Sequence, residues 1–257
     1  MRTLWVGSRT LLLVFLGLLA LECRAEALKI FGDENYSEVI YLAPQGQARG
    51  LLPELLTYYA KASGTPVEVQ LSPWKLAYSS ALAGRGGVIG LSRNKEREAL
   101  FDYSEPVYYD DIGIVVLEGR EFAFDELEDL RGKKIGAQLG ASFGAEVDQA
   151  IDEGVITLER DQRHVARLKK LLRGRIDAAF IGNGRDGLHW LIASDEQLQA
   201  QRHRFVMLPR PLTRDLLYLG FAKSMGKRAL LDEFNRVLRE GRSRGELPRL
   251  EQLISSP

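Results

Sequence analysis

Metal binding, nucleophilic catalysis and anion capture would each run through a different set of side chains in this sequence. The three histidines, His164, His189 and His203, are scattered and lack metal-ligand spacing. The single cysteine, Cys23, cannot form an intrachain disulfide. No Ser-His-Asp set or nucleophile elbow stands out, so the reading is of a non-enzyme without metal or cofactor. Anion capture is better served. Gly140-Ala141-Ser142 falls where a strand turns into a helix. Free N–H groups at a helix N-terminus attract anions, and small residues let a ligand come close. Ser142 is there either as a ligand group, as a plain N-cap, or as both.

The elements that would position these residues alternate between short β runs and helical patterns. Leu28 to Phe31 reads as a strand. Pro53 is expected to open a helix whose stripe is Leu52, Leu55, Leu56 and Tyr59, ended by Gly64. Val67, Val69 and Leu71 alternate with polar residues as in a half-buried strand. Trp74 to Ala83 reads as helix, Val88 to Leu91 as strand and Ile112 to Leu117 as a longer apolar strand. The pattern then restarts. Asp125 is expected to cap a short helix, Lys134 to Gln138 is a strand, and Ser142 caps a helix to about Glu153. Ile156 to Leu158 and Ile176 to Ile181 are strands flanking a helix from Val165 to Leu172. Phe205 to Leu208 and Tyr218 to Phe221 are strands, and Lys227 to Gly241 is a closing helix. This alternation predicts an α/β fold on mainly parallel sheets, in two small lobes.

The chain has 257 residues, with 35 basic and 35 acidic side chains, enough for one large domain or two lobes. Zero formal charge argues against nucleic acid, whose binders carry a basic excess. Arg2 and Arg9 precede an uncharged apolar run from Leu11 to Leu21, followed by Ala25-Glu26-Ala27. A membrane-crossing helix needs about 20 apolar residues, so this run is short for an anchor. Basic start, apolar centre and A-x-A site together predict a secretory signal peptide over residues 1–27. Glu22 before Cys23 argues against a lipoprotein. No second long apolar segment follows, and the expectation is a soluble, monomeric, periplasmic protein.

Several blocks occur together in one order. They are Gly50-Leu51-Leu52-Pro53-Glu54-Leu55-Leu56, Ser72-Pro73-Trp74-Lys75, Gly90-Leu91-Ser92-Arg93-Asn94-Lys95-Glu96-Arg97 and Phe101-Asp102-Tyr103-Ser104-Glu105-Pro106-Val107-Tyr108-Tyr109. Leu130-Arg131-Gly132-Lys133-Lys134-Ile135-Gly136, Gly140-Ala141-Ser142 and Gly174-Arg175-Ile176-Asp177-Ala178-Ala179-Phe180 follow. The ordered set resembles the family 3 extracellular solute-binding proteins, receptors for polar amino acids in ABC import. The resemblance implies a type II periplasmic binding protein fold of two α/β lobes joined by two hinge crossovers, closing on a small polar molecule. Residues 28–112 with 214–257 would form lobe 1 and residues 113–213 lobe 2. The crossovers are expected near Asp110 to Val116 and Leu208 to Asp215.

In that family an arginine of the stretch Ser-x-Thr-x-x-Arg grips the ligand's carboxylate. Arg97 falls in its place, with Ser92 on the serine and Asn94 where threonine is common. Guanidinium is always charged and donates two parallel hydrogen bonds, which suits a carboxylate. The alternative is a surface arginine paired with Glu98 or Asp102. Ser142 and Ala141 would meet the same carboxylate from the other lobe. Tyr36 and Trp74 would offer ring faces to a planar or cationic group, or else pack in the core. The family's ammonium-binding acid would stand at position 182. Here Gly182 stands there, followed by Asn183, which offers a carbonyl, and Gly184. A buried ammonium without a carboxylate is costly, and Asp186 is the nearest acid in sequence that could reach in. The resemblance thus implies capture of a small carboxylate-bearing solute, an amino acid or a relative, for a membrane permease. The alternatives are a ligand-sensing or partner-binding protein on the same fold, and an enzyme like the cyclohexadienyl dehydratases.

Overall fold

The computed structural model describes residues 26–252 apart from Ser37. The basic start, the apolar run and Cys23, on which the signal-peptide expectation rests, lie outside the described residues. Strand β1 (Leu28–Asp33) leads into a three-stranded sheet of β2 (Asn35–Tyr36), β3 (Ile40–Leu42) and β4 (Ala48–Arg49). Then come α1 (Leu51–Ser63), β5 (Val67–Ser72), α2 (Trp74–Leu82), β6 (Gly87–Ser92), α3 (Lys95–Leu100), β7 (Phe101–Tyr103) and β8 (Tyr108–Leu117). The middle of the chain forms β9 (Lys134–Gln138), α4 (Ala145–Asp152), β10 (Thr157–Asp161), α5 (His164–Leu172), β11 (Ala178–Ile181), α6 (Gly184–Ala193) and α7 (Glu196–Ala200). Strands β12 (Phe205–Met207) and β13 (Thr213–Ala222) and helix α8 (Arg228–Ser243) complete it.

The main sheet has the order β10-β9-β11-β8-β13-β6-β1-β5, with β12 on β8 and β7 on β13. Within each half, strands joined through helices run parallel: β1 with β5 and β6, and β9 with β10 and β11. The long strands β8 and β13 are antiparallel to their neighbours and to each other. Their first residues pair in the middle, Tyr108–Ile112 against Thr213–Leu217. Strand β8 then runs on to pair with β11 and β12, and β13 runs the other way to pair with β6 and β7. These two strands carry the chain between the halves.

Helices cover both faces of each half. In the first, Ile30, Leu52, Leu56, Tyr59, Leu219 and Phe234 form one core, and Trp74, Ala77, Val88 and Phe101 form another across the sheet. In the second, Ile114, Ile135, Phe143 and Phe180 pack on one side and Leu168, Leu171, Leu188 and Leu191 on the other. Each such aliphatic or aromatic side chain contributes about 1.5–3 kcal/mol on burial. Gly50 shows why one family block is spelled as it is. Its φ is 107°, and a Cβ there would lie 2.5 Å from the Glu38 carbonyl oxygen. The turn at Glu38–Val39 passes so close because its carbonyls accept the N–H groups of Leu51 and Leu52, at 3.1 and 2.9 Å.

Some expected boundaries shift. Helix α1 starts at Leu51, so Pro53 is its third residue and not its first, still within the turn whose N–H groups need no intrahelical partner. Asp125 caps nothing. Glu126 caps the 3-10 turn Leu127–Leu130 through a reciprocal box with Asp129. Strand β13 begins at Thr213, five residues before the apolar run, because β8 pairs with its charged start. Strand β8 likewise begins at Tyr108, before the apolar run at Ile112.

Candidate functional site

The residues of the sequence blocks meet along a polar seam where the two halves touch. Ser92 ends β6, and Asn94 caps α3 by accepting the Arg97 N–H at 2.9 Å. This places Arg97 on the first turn of a short helix pointing at the opposite half. Arg97 is 5% exposed, so it is not the surface arginine of the alternative reading. Glu98 and Asp102 pair instead with Arg93 and Arg228. The Arg97 guanidinium donates to the Ser92 carbonyl at 3.2 Å and, across the seam, to the Gly140 carbonyl at 3.0 Å. Its Cζ lies 5.1 Å from the Tyr78 ring centre and 5.9 Å from that of Trp74. Trp74 follows the core reading. It packs in the core of the first half and sends its indole N–H to the same Gly140 carbonyl at 3.0 Å.

Ser142 is not an N-cap. Helix α4 begins at Ala145 behind Gly144, whose φ of 89° turns the chain sharply, and no side chain caps it. Asp148, one turn into α4, folds back to accept the Phe143 N–H at 2.9 Å and the Ser142 hydroxyl. Asn94 reaches from the first half to both, 3.0 Å from Ser142 Oγ and 2.8 Å from Asp148 Oδ2. The Ser92 hydroxyl donates to the Ser142 carbonyl at 3.3 Å. Ala141 lines the wall beside them. Outside the seam an open groove of about 780 Å³ carries Lys75, Tyr78, Lys95, Arg97 and Arg160.

Inside the seam lies a smaller cavity of about 60 Å³, lined by Tyr36, Trp74, Ser92, Ser142 and Gly182 among others. Three carboxyls missed by the sequence reading also face it: Asp33, Asp110 and Asp215, each less than a tenth exposed. Burial pushes Asp33 and Asp110 up to about 6 and Asp215 to about 7. Their partners pull the other way without prevailing: Gln138 on Asp33, the Asn183 N–H on Asp110 and Ser92 on Asp215. His164 and Arg167 complete the wall. Burial and the nearby Arg167 charge hold His164 well below its ordinary value, so it is neutral. Arg167, 1% exposed, ion-pairs with Asp161 at 3.0 Å and donates to the Phe180 carbonyl at 2.7 Å.

The structure also accounts for Gly182. A Cβ there would stand 2.6 Å from Tyr36 Cε2 and 3.0 Å from Asp110 Oδ2. Tyr36, from β2, and Asp110, from β8, thus fill the space that a side chain at 182 would need. Asn183 turns its backbone N–H onto Asp110 Oδ1 at 2.6 Å and its side-chain carbonyl onto the Tyr108 hydroxyl, so it supports the wall from behind. Asp186 is exposed and does not line the cavity. No local signal in the sequence marked these carboxyls: Asp110 and Asp215 precede the apolar runs of β8 and β13, and Asp33 ends β1.

Residues 28–253 match the bacterial extracellular solute-binding proteins, family 3. The chain belongs to this family. Its members are binding proteins for solutes, and the arrangement of two half-sheets around an interior polar cavity fits that class. No curated protein matches the chain. Among solved structures it is similar to a histidine kinase sensor domain with similarity to periplasmic binding proteins, with a TM-score of 0.73 and 21% identity over 89% of this chain and 94% of that one. An ancestral arginine-binding protein bound to arginine has a TM-score of 0.70 and 21% identity, covering 90% and 98%. The substrate-binding protein of an amino acid ABC transporter has 0.67 and 20%, covering 89% and 97%. At these identities the likeness establishes the fold. Among the described residues no helix is long and apolar enough to cross a membrane, and no group of three or more His, Cys, Asp or Glu is placed to hold a metal ion.

Proposed function

We propose that this family member is a periplasmic receptor that captures a small polar, carboxylate-bearing solute between two lobes and delivers it to a membrane permease of the ABC type. Residues 28–112 with 214–257 form one lobe and 113–213 the other, and β8 and β13 serve as the hinge. The observation that carries the reading is the position of Arg97, a buried guanidinium held at the seam beside two aromatic rings. One of its two NH₂ groups binds only the Gly140 carbonyl of the opposite half. Parting of the halves releases that donor, and a carboxylate meets the fork with two charge-assisted hydrogen bonds where a carbonyl gives one. Ser92, Asn94, Ala141 and Ser142 then close over the anion, Tyr36 and Trp74 wall the solute, and Asn183 braces the floor.

The reading is tested by calorimetric titration of the unfolded and refolded mature chain with amino acids and with carboxylates that lack an amino group. Binding is expected in the wild type, with a loss of at least about 30-fold in Arg97→Ala, the cost of removing one partner of a buried charge pair. Unchanged affinity in Arg97→Ala refutes the site. A second reading, in which closure signals to a membrane receptor in place of a permease, is favoured by the similarity to a kinase sensor domain.

A further inference from the structure

A second outer groove, of about 490 Å³, opens between α5 and α6 and shares no residue with the one that carries Arg97. Its walls are the first turn of α5, Trp190 and Leu191 of α6, and Asn35 of β2 from the other half. Trp190 packs on Tyr41 of β3 with ring centres 5.6 Å apart, so both halves build this wall. None of the residues proposed to hold the solute lines it.

Helix α5 starts at His164 behind Arg163, with no side chain capping it and no acid in its first turn. Its first bond runs from the Arg167 N–H to the Arg163 carbonyl at 3.1 Å, so the N–H groups of His164, Val165 and Ala166 have no partner within the helix. All three residues line the groove, where the helix dipole favours negative charge. The nearby acids do not neutralise it. Asp195, the acid among the described residues that line the groove, accepts Lys169 at 2.6 Å and the N–H groups of Gln197 and Leu198. Asp161 and Glu159 pair with Arg167 and Lys170, and Arg163 is exposed, with no ion pair among the described residues.

A second observation points the same way. His164 is 6% exposed, stands in the wall between this groove and the interior cavity, and has no hydrogen-bond partner for Nε2. Buried polar atoms are nearly always paired, and a neutral imidazole has one N–H to give. A helix N-terminus, an unpaired arginine and an orphaned imidazole thus line one groove, together with apolar surface from Trp190, Val165 and Leu191. We infer that this groove is a second binding site, for a small organic anion whose carboxylate or phosphate sits on the first turn of α5 beside Arg163 and His164 while its apolar body lies on Trp190. The site stands apart from the capture reading and does not depend on it.

The test is titration of the refolded mature chain with benzoate and with phenyl phosphate, and with benzyl alcohol as their uncharged counterpart, read by tryptophan fluorescence. At least one of the two anions is expected to bind at least about 10-fold more tightly than benzyl alcohol, and the preferred one identifies the head group as carboxylate or phosphate. Trp190→Phe should remove the fluorescence change, since Trp74 lies in the core of the other half. Arg163→Asp puts a favoured N-cap at the head of α5, so its carboxylate takes the N–H groups that the anion needs while the chain melts no lower than wild type. That variant should weaken the anion at least about 10-fold, and Arg97→Ala should leave it bound. No preference over benzyl alcohol, unchanged affinity in Arg163→Asp, or a fluorescence change that survives Trp190→Phe overturns the inference. Binding lost in Arg97→Ala but kept in Arg163→Asp places the anion at the seam, which overturns this site and leaves the capture reading standing.

Discussion

The acid-lined cavity makes the protein's own stability depend on pH in an unusual direction. Asp33 and Asp110 stand at about 6 and Asp215 at about 7, against 3.8 for an unperturbed aspartate. In each case the folded value exceeds the unfolded one, so folding takes up protons. The resulting stability is fully present below the unfolded value and is lost as pH rises through 6 to 7. At about 1.36 kcal/mol per unit, moving from about pH 7.5 to about pH 5 restores about 1.4 kcal/mol for each of Asp33 and Asp110 and about 2.5 kcal/mol for Asp215. Asp110 and Asp215 share the cavity, so protonating one eases the other, and the combined gain is about 4 kcal/mol. Exposed acids with lowered values, such as Glu128 beside Arg131, lose their support only further into acid and do not cancel the gain. For a chain of this size the gain is about 10 °C in melting temperature. Thermal melts of the refolded, ligand-stripped chain across that range measure it, and Asp215→Asn should flatten the profile by about half. A melting temperature that stays level or falls toward pH 5 would refute the reasoning, because it would mean that water reaches these carboxyls and the halves stand apart.

Other outcomes follow from single contacts. Gly182→Ala drives a methyl group into Tyr36 and Asp110 and should cost about 1–3 kcal/mol in chemical denaturation while weakening solute affinity; wild-type stability and affinity would show that the wall yields freely. Asp161→Asn leaves the buried Arg167 charge uncompensated and should cost about 3 kcal/mol in urea unfolding at unchanged slope, although neither residue is expected to touch the solute's carboxylate.

Much of the architecture was legible from local pattern. Alternating strands and amphipathic helices announce an α/β fold, and the ordered blocks from Gly50 to Phe180 point to the family that the match over residues 28–253 establishes. Local rules also spoke for Ser142 as a cap, and they failed there because Gly144 turns the chain so that the helix starts only at Ala145, while Asp148 accepts the Ser142 hydroxyl. Likewise the apolar runs locate the centres of β8 and β13 but not their charged beginnings, since pairing between strands about a hundred residues apart extends both. Arg97 and Ser92 could be singled out in sequence because neighbouring residues spell a motif around them. Asp33, Asp110 and Asp215 could not, since each is an ordinary acid until three distant segments bring it to one cavity. Gly182 carries the contrast furthest. The sequence by itself determined that no side chain stands at that position, which reads as a lost acid. Only the tertiary structure decided that Tyr36 and Asp110, from two other strands, fill the same space, because which side chains occupy a cavity depends on the packing of strands and not on the order of residues along the chain.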